Sequence, residues 1–328
     1  MQPKVFVTRP IPDEALQLLS EVCRVELNRE NRILDREELF RGVREAQALL
    51  CMLDDRIDDA LLEQAPDLKI VANLAVGTDN IDIDACSARG IAVTNTPGVL
   101  TEATADLTFA LILAVVRRIV PADRYVREGR FNGWGALLFT GGELWGKTLG
   151  IIGMGRIGQA VARRGRGFGM KILYHNRRPV EEAIARELEA EYAGLEDVIR
   201  RADILTLHLP YSPEVHHLID RKELQMMKPT AYLINTARGA HVNEKALVEH
   251  LREGKIAGAA LDVYEHEPAL SPELAALDNV VLTPHIGSAA LATRIKMAKT
   301  AAENIVAALQ GRRPPNLLNK EIWKGVVS

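Results

Sequence analysis

Residues 149–162 read LGIIGMGRIGQAVA. An apolar run, Leu149–Ile152, stops at three glycines spaced Gly153-x-Gly155-x-x-Gly158, and a helical pattern follows directly. Each glycine answers a separate steric need. Gly153 permits a tight turn from strand to helix, Gly155 lets backbone amides approach an anion, and Gly158 lets helix and strand pack closely. The start of a helix presents unpaired N–H groups and the positive end of its dipole to whatever anion lies there. The strand-like segment KILYHN, 171–176, follows at the distance expected of a βαβ unit. The stretch is therefore read as the phosphate-binding turn of a dinucleotide fold, with Gly153, Gly155, Arg156, Ile157 and Gly158 as candidate cofactor contacts.

The same alternation runs in both directions from this turn. Upstream come KVFV, PDEALQLLSEV, RVEL, REELFRGVREA, ALLCML, DDALLEQA, KIVANLAV, IDACSARG and IAVTN. Downstream come KILYHN, EEAIARELEAEY, DILTLHL, ELQMMK, AYLINTA, NEKALVEHLREG, IAGAALDV and VVLTPHI. Short β-branched runs separated by amphipathic ones indicate parallel sheets covered by helices. A length of 328 residues exceeds one typical core, and roughly 150 residues per domain suggests two. A long apolar helix is expected over Thr101–Val120, and a helix over Leu291–Leu309 follows the completed second series and can return to the first domain. The predicted fold class is α/β, with two doubly wound parallel-sheet domains. A Rossmann domain over 99–288 is inserted in a discontinuous flavodoxin-like domain made of 1–98 and 289–328.

About 20 residues beyond the glycines, an acid would bind the ribose 2′-hydroxyl of NAD, whereas an arginine accommodates the 2′-phosphate of NADP. No acid stands between Lys171 and Pro179; Asn176, Arg177 and Arg178 occupy that stretch instead. Two guanidinium groups can bind a phosphate through planar, charge-assisted contacts, and an asparagine can donate to it without repelling it. NADP(H) is the expected cofactor. NAD(H) stays open, because Glu181 and Glu182 could neutralise the arginines.

Three segments join strand ends to polar residues: INTARGAHVNEKAL, AGAALDVYEHEP and VVLTPHIGSA. In an open α/β sheet the ligand lies beyond the carboxyl ends of the strands, which makes Arg238, Asp262, Glu267 and His285 candidates for the site. Reduction of a 2-oxo acid needs a cation for the carboxylate, a proton donor for the carbonyl oxygen and a hydride source. Arg238 and His285 supply the first two. A carboxylate beside His285 would orient the ring and favour its protonated form, and Glu267 is the nearest candidate.

Composition narrows the alternatives. The chain is 47% hydrophobic and 26% charged with a formal net charge of -3, which offers no basic excess for nucleic acid. Cys23, Cys51 and Cys86 show no Cys-x-x-Cys spacing, so neither a disulfide framework nor a thiolate metal site is expected. The N-terminal MQPKVFVTRP lacks a signal-peptide pattern, and the longest apolar stretch, Leu107–Val116, falls well short of the ~20 residues that span a bilayer. A cytoplasmic protein with a small-molecule ligand, and no membrane partner, is expected.

At KIVANLAVGTDNID, NTPGVLTEATADL, GIIGMGRIGQAVA, LINTARGAHVNEKAL, GAALDVYEHEP and VVLTPHIGSA, the chain resembles the D-2-hydroxyacid dehydrogenases, most of all the glyoxylate and hydroxypyruvate reductases. The motifs cover nearly the whole chain in family order. The resemblance implies a catalytic set in which Arg238 binds substrate, His285 passes the proton, and Glu267 orients His285. It implies that the discontinuous domain binds substrate, with backbone amides of Leu74, Ala75, Val76 and Gly77 holding the carboxylate. Thr104 and Asp262 would contact the nicotinamide, and Leu209, Pro210, Thr236, Ala237 and Gly287 would line the cofactor. A homodimer is also implied, with Trp134 reaching the neighbouring subunit. Asn243 departs from the family's frequent acid, and the segment from Phe131 to Gly142 is not distinctive, which blurs substrate size. A 2-ketogluconate reductase or another D-2-hydroxyacid dehydrogenase stays open. So does a dinucleotide-sensing, corepressor-like protein, although no basic or disordered extension favours it.

Overall fold

A computed structural model describes residues 2–323. The chain divides into two compact units, one formed by the chain up to Leu100 and from Ala289 onward, the other by Thr101–Ser288. Twelve strands are present among the described residues: β1 (Lys4–Val7), β2 (Arg24–Leu27), β3 (Ala48–Cys51), β4 (Ile70–Asn73), β5 (Ala92–Thr94), β6 (Thr148–Ile152), β7 (Lys171–His175), β8 (Ala190–Tyr192), β9 (Ile204–Leu207), β10 (Tyr232–Asn235), β11 (Gly258–Leu261) and β12 (Val280–Leu282).

The first unit is a parallel sheet of order β2-β1-β3-β4-β5, the flavodoxin-like order. Phe6, Leu49, Val71 and Val93 fill one side of it. The helix Leu291–Leu309 packs against the helix Asp13–Ser20 and against β4, so the C-terminal part of the chain completes this unit. Beyond that helix the chain is hooked in place by Asn319, 2% exposed. Its Oδ1 accepts the Val93 amide at 2.9 Å, and its Nδ2 donates to the Ile91 carbonyl at 2.8 Å and to Ser87 Oγ at 3.0 Å.

The second unit is a seven-stranded parallel sheet of order β12-β11-β10-β9-β6-β7-β8, the Rossmann order with one strand added. Strand residues alternate between its two faces. Ile151, Ile172, Ile204 and Ile234 enter one core with Phe109, Ile112 and Val161. Ile152, Leu173, Leu205 and Leu233 enter the other with Val198, Leu247 and Leu251. Burial on both faces explains why the strands read as continuous apolar runs.

Two local readings are corrected. The apolar helix ends at Val116 rather than Val120, because Arg118 adopts a left-handed φ of 53° and a separate helix, Ile119–Arg127, begins there. The freed Val116 carbonyl accepts the Gly142 amide at 3.0 Å. EEAIARELEAEY is not one amphipathic element but a short helix, Glu182–Glu187, followed by the edge strand β8, and a further helix spans Leu195–Arg201. No described helix is long and apolar enough to cross a membrane.

Asn319→Ala leaves the Val93 amide and the Ile91 carbonyl without their partner. Unsatisfied buried groups of this kind cost about 1–3 kcal/mol each, so a destabilisation of roughly 2–6 kcal/mol is expected in denaturant unfolding. A variant within ~0.5 kcal/mol of the parent would show that the hook does not hold the C-terminal segment.

Candidate active site

The glycine turn leaves β6 and enters the helix Arg156–Gly167. Gly153 takes φ 98°, and a Cβ there would lie 2.6 Å from the carbonyl of His208 and 2.8 Å from the Leu209 amide, so the turn rests directly on the backbone leaving β9. A Cβ at Gly158 would lie 2.2 Å from the Gly153 oxygen. Gly155 differs: a Cβ there would meet nothing within 4 Å, and the helix it caps has no side-chain cap. Two glycines therefore serve packing, and the third faces open space at a helix start with free amides. This geometry fits the pyrophosphate of a dinucleotide.

Asn176 follows β7, and its Oδ1 accepts the Met154 amide at 2.7 Å. The side chain thus braces the glycine turn, with its NH2 end left to donate. Arg177 and Arg178 are exposed, and among the described residues neither forms an ion pair. Glu182 pairs with Arg186 instead.

His208, at the end of β9, is a site neighbour that the sequence alone does not single out. Its Nε2 meets Thr206 Oγ1 at 2.9 Å, and burial pushes its imidazole down to about 3. The ring is neutral at neutral pH and adds no charge beside the turn. Leu209 is partly buried and Pro210 exposed.

Arg238, Asp262, Glu267 and His285 lie beyond the carboxyl ends of three adjacent strands, β10, β11 and β12. Asn235, 1% exposed, shapes the first of these turns: its Nδ2 donates to the Arg238 carbonyl at 2.8 Å and its Oδ1 accepts the Ala237 amide at 3.0 Å. Thr236 Oγ1 meets Thr108 Oγ1 at 3.1 Å, and Thr108 donates to the Thr104 carbonyl at 2.8 Å. Arg238 is partly buried, and its Nη1 donates to the Ala237 carbonyl at 2.7 Å. A Cβ on the next residue, Gly239, would lie 1.8 Å from the Tyr264 carbonyl carbon. Only glycine lets the Arg238 turn approach the segment that carries Glu267 so closely.

Asp262, 1% exposed, organises the turn after β12. Its Oδ1 accepts Thr283 Oγ1 at 2.6 Å and the Ile286 amide at 2.8 Å, its Oδ2 accepts the Gly287 amide at 2.7 Å, and its own carbonyl accepts the His285 amide at 2.9 Å. Burial raises its carboxyl above the usual range, and these donors act in the opposite direction. Thr104 packs beside Gly287, where a Cβ would lie 3.5 Å from the threonine methyl.

His285 sits in this turn with a left-handed φ of 53°, a conformation that non-glycine residues adopt when their surroundings impose it. Its Nδ1 lies 2.8 Å from Glu267 Oε2, and Glu267 Oε1 accepts the Tyr264 amide at 2.9 Å. A carboxylate only accepts, so Nδ1 carries the hydrogen and Nε2 is the nitrogen free to exchange a proton. Tyr264, another residue without a sequence signal, also donates its hydroxyl to the Thr283 carbonyl at 2.8 Å. It ties the Glu267 segment to the His285 turn.

In the other unit, the turn after β4 spends its carbonyls and keeps its amides. The carbonyls of Ala75, Val76 and Gly77 accept from the Thr96 amide, Asn95 Nδ2 and Asn73 Nδ2, each at 2.8 Å. The amides of Ala75, Val76 and Gly77 donate to no acceptor among the described residues. Consecutive free amides make an anion-binding concavity. The Leu74 amide is already bonded to the Cys51 carbonyl at 2.9 Å, so Leu74 offers its side chain only, and that is 8% exposed.

Comparison with known proteins places this geometry in context. Residues 109–287 match the NAD binding domain of the D-isomer specific 2-hydroxyacid dehydrogenases. The chain is 52% identical to a glyoxylate reductase of Thermococcus litoralis, over 98% of each sequence. A crystal structure of a protein from Thermus thermophilus superposes with a TM-score of 0.91 at 48% identity, covering 96% of this chain and 99% of that one. An NADPH-dependent glyoxylate/hydroxypyruvate reductase of Sinorhizobium meliloti, solved with NADP and malonate, superposes with a TM-score of 0.86 at 33% identity over 97% of each chain.

A histidine held neutral in the folded state but titrating near 6.5 when unfolded lends stability that is complete above pH 6.5 and is lost as pH falls toward 3. The midpoint of thermal unfolding should therefore drop between pH 6.5 and 4 more steeply in the parent than in His208→Gln. Parallel pH curves would contradict the neutral state of His208.

Proposed function

The chain belongs to the D-isomer specific 2-hydroxyacid dehydrogenase family, NAD(P)-dependent enzymes that reduce 2-oxo acids, and on that premise we propose that it reduces glyoxylate, or a 2-oxo acid as small as hydroxypyruvate, to the D-2-hydroxy acid with NADPH. The observation that carries the reading is the His285–Glu267 pair, 2.8 Å apart, at the carboxyl end of the sheet that also bears the open glycine turn. The unit Thr101–Ser288 is the cofactor domain in this reading, and the other unit binds substrate.

Amides of Gly155, Arg156, Ile157 and Gly158 would hold the pyrophosphate, with Thr104, Leu209, Pro210, Thr236, Ala237 and Gly287 lining the rest of the cofactor. When bound, the reduced nicotinamide supplies a hydride to the substrate's carbonyl carbon. His285 donates the proton from Nε2 to the carbonyl oxygen, and Glu267 keeps Nδ1 protonated and the ring oriented through that transfer. Arg238 pairs with the substrate carboxylate and draws electron density from the carbonyl. In the other unit, the free amides of Ala75, Val76 and Gly77 suit a carboxylate. Asp262 Oδ2, with a single donor, retains a lone pair for the carboxamide of the nicotinamide.

NADPH is favoured because Arg177 and Arg178 stand exposed after β7 and form no ion pair among the described residues, with no acid in the position that would bind a ribose hydroxyl. The exposed apolar residues Trp134 (87%), Leu137 (85%) and Ile119 (50%) favour a homodimer through the Ile119–Arg127 helix and the segment that follows it. Trp134 at that exposure caps no core of its own subunit.

His285→Asn should bind cofactor normally and lose ~10²-fold or more in kcat, the scale of general acid–base catalysis; near-parental turnover would reject the proton-donor role. Replacing Arg177 and Arg178 together with Ala should raise the KM for NADPH at least ~10-fold while leaving that for NADH nearly unchanged, each lost charge-assisted contact being worth about 1.5–3 kcal/mol at most. Equal changes for both cofactors would remove the phosphate clamp. Sedimentation should give twice the chain mass, and a monomer at micromolar concentration would contradict the apolar interface.

A further inference from the structure

A second cluster of chemically capable side chains lies outside the proposed catalytic set. His216 and His217 follow the turn after β9, and Glu265 follows β11. One ligand atom from each lies within 4.8 Å of the others. His217 Nε2 is 2.7 Å from Glu265 Oε1, and a third imidazole, His266, has its Nε2 3.8 Å from the same oxygen. We propose that His216, His217 and Glu265 form a binding site for a divalent transition-metal ion of the zinc class.

Two imidazoles and a carboxylate are a donor set that zinc takes readily, with the remaining position open to water or to His266. Bonds of about 2.0–2.1 Å in a tetrahedral site require donor atoms roughly 3.3 Å apart. The His217–Glu265 separation needs only a small opening, and His216, which is exposed, has the freedom to close the rest.

The surroundings already orient these donors. The second oxygen of Glu265 accepts the Glu244 amide at 3.1 Å, and the Glu265 amide donates to Glu244 Oε1 at 2.6 Å. The His217 amide donates to the Ala240 carbonyl at 2.8 Å, and His217 adopts a left-handed φ of 50° that sets its ring against that of His216, with centroids 4.0 Å apart. Tyr211 Oη lies 3.4 Å from His216 Nδ1. Outer contacts of this kind fix ligand orientation in metal sites. Packing requires only the His217–Glu265 pair, whereas His216 contributes an exposed imidazole with no buried partner to satisfy.

An ion here joins the segment after Leu209 and Pro210 to the segment that continues into Glu267. It acts as a clamp, because neither His285 nor Glu267 is among its ligands. The clamp does not depend on the substrate or cofactor assigned above.

The test uses the full-length protein freed of metal by chelation, titrated with Zn2+ in a calorimeter and with Co2+ in a spectrophotometer. One ion per chain is expected, with visible cobalt absorption of tetrahedral intensity and a rise in the unfolding midpoint on adding zinc. In His216→Ala, affinity should fall at least ~10-fold and the zinc-induced rise should vanish, while the metal-free midpoint and the reductase rate stay those of the parent. Glu265→Gln should weaken binding likewise. Parental protein that takes up no stoichiometric zinc, or a His216→Ala variant that binds it as tightly as the parent, overturns the site.

Discussion

Four hydrogen bonds converge on Asp262, and the turn that presents His285 exists in its observed form because of them. A carboxylate buried at the end of β11 is costly unless it is fully paired. The donors that pair it, Thr283 Oγ1 and the amides of Ile286 and Gly287, flank His285 on both sides. The desolvation cost at Asp262 and the left-handed backbone at His285 are thus two parts of one arrangement: the carboxylate requires donors, and the turn that supplies them imposes the histidine's conformation. Asp262→Asn would offer a donor where only acceptors fit.

Close packing extends this order to the neighbouring turns. Gly239 brings the Arg238 turn against Tyr264 and Glu265, and Tyr264 reaches both Glu267 and Thr283. Rigid strands fix where these turns start, and side chains that bond backbone to backbone fix where they end. A proton donor needs this precision, because its rate advantage depends on geometry held within a fraction of an ångström.

Much of the fold is legible in the sequence because its signals are local. The glycine turn, the alternation of strands and helices and the apolar runs of buried strands all arise within a few residues of chain. EEAIARELEAEY misleads for the same reason: a helix turn and an edge strand with exposed residues share one polar pattern, and only pairing with β7 separates them. Helical pattern likewise continues past Val116, whereas the break at Arg118 depends on Gly142 approaching the freed carbonyl. At the candidate site, residue types point to Arg238, Glu267 and His285, but the pairing of His285 with Glu267 is tertiary and 18 residues apart. His208, Asn235, Tyr264 and Gly239 carry no distinctive local signal; each matters through what it touches. Asn176 is expected from sequence to face a phosphate, yet its oxygen serves the glycine turn, a use visible only once β6 and β7 lie side by side.

Reductive chemistry with a preference for the 2′-phosphorylated cofactor is the central claim, and initial rates with the unmodified protein test it most directly. Oxidation of NADPH and NADH would be followed in parallel against glyoxylate and hydroxypyruvate. A higher kcat/KM with NADPH than with NADH, for at least one of these acids, is the expected result. Equal or greater efficiency with NADH would contradict the role given to Arg177 and Arg178, and no oxidation of either cofactor would contradict the reduction itself.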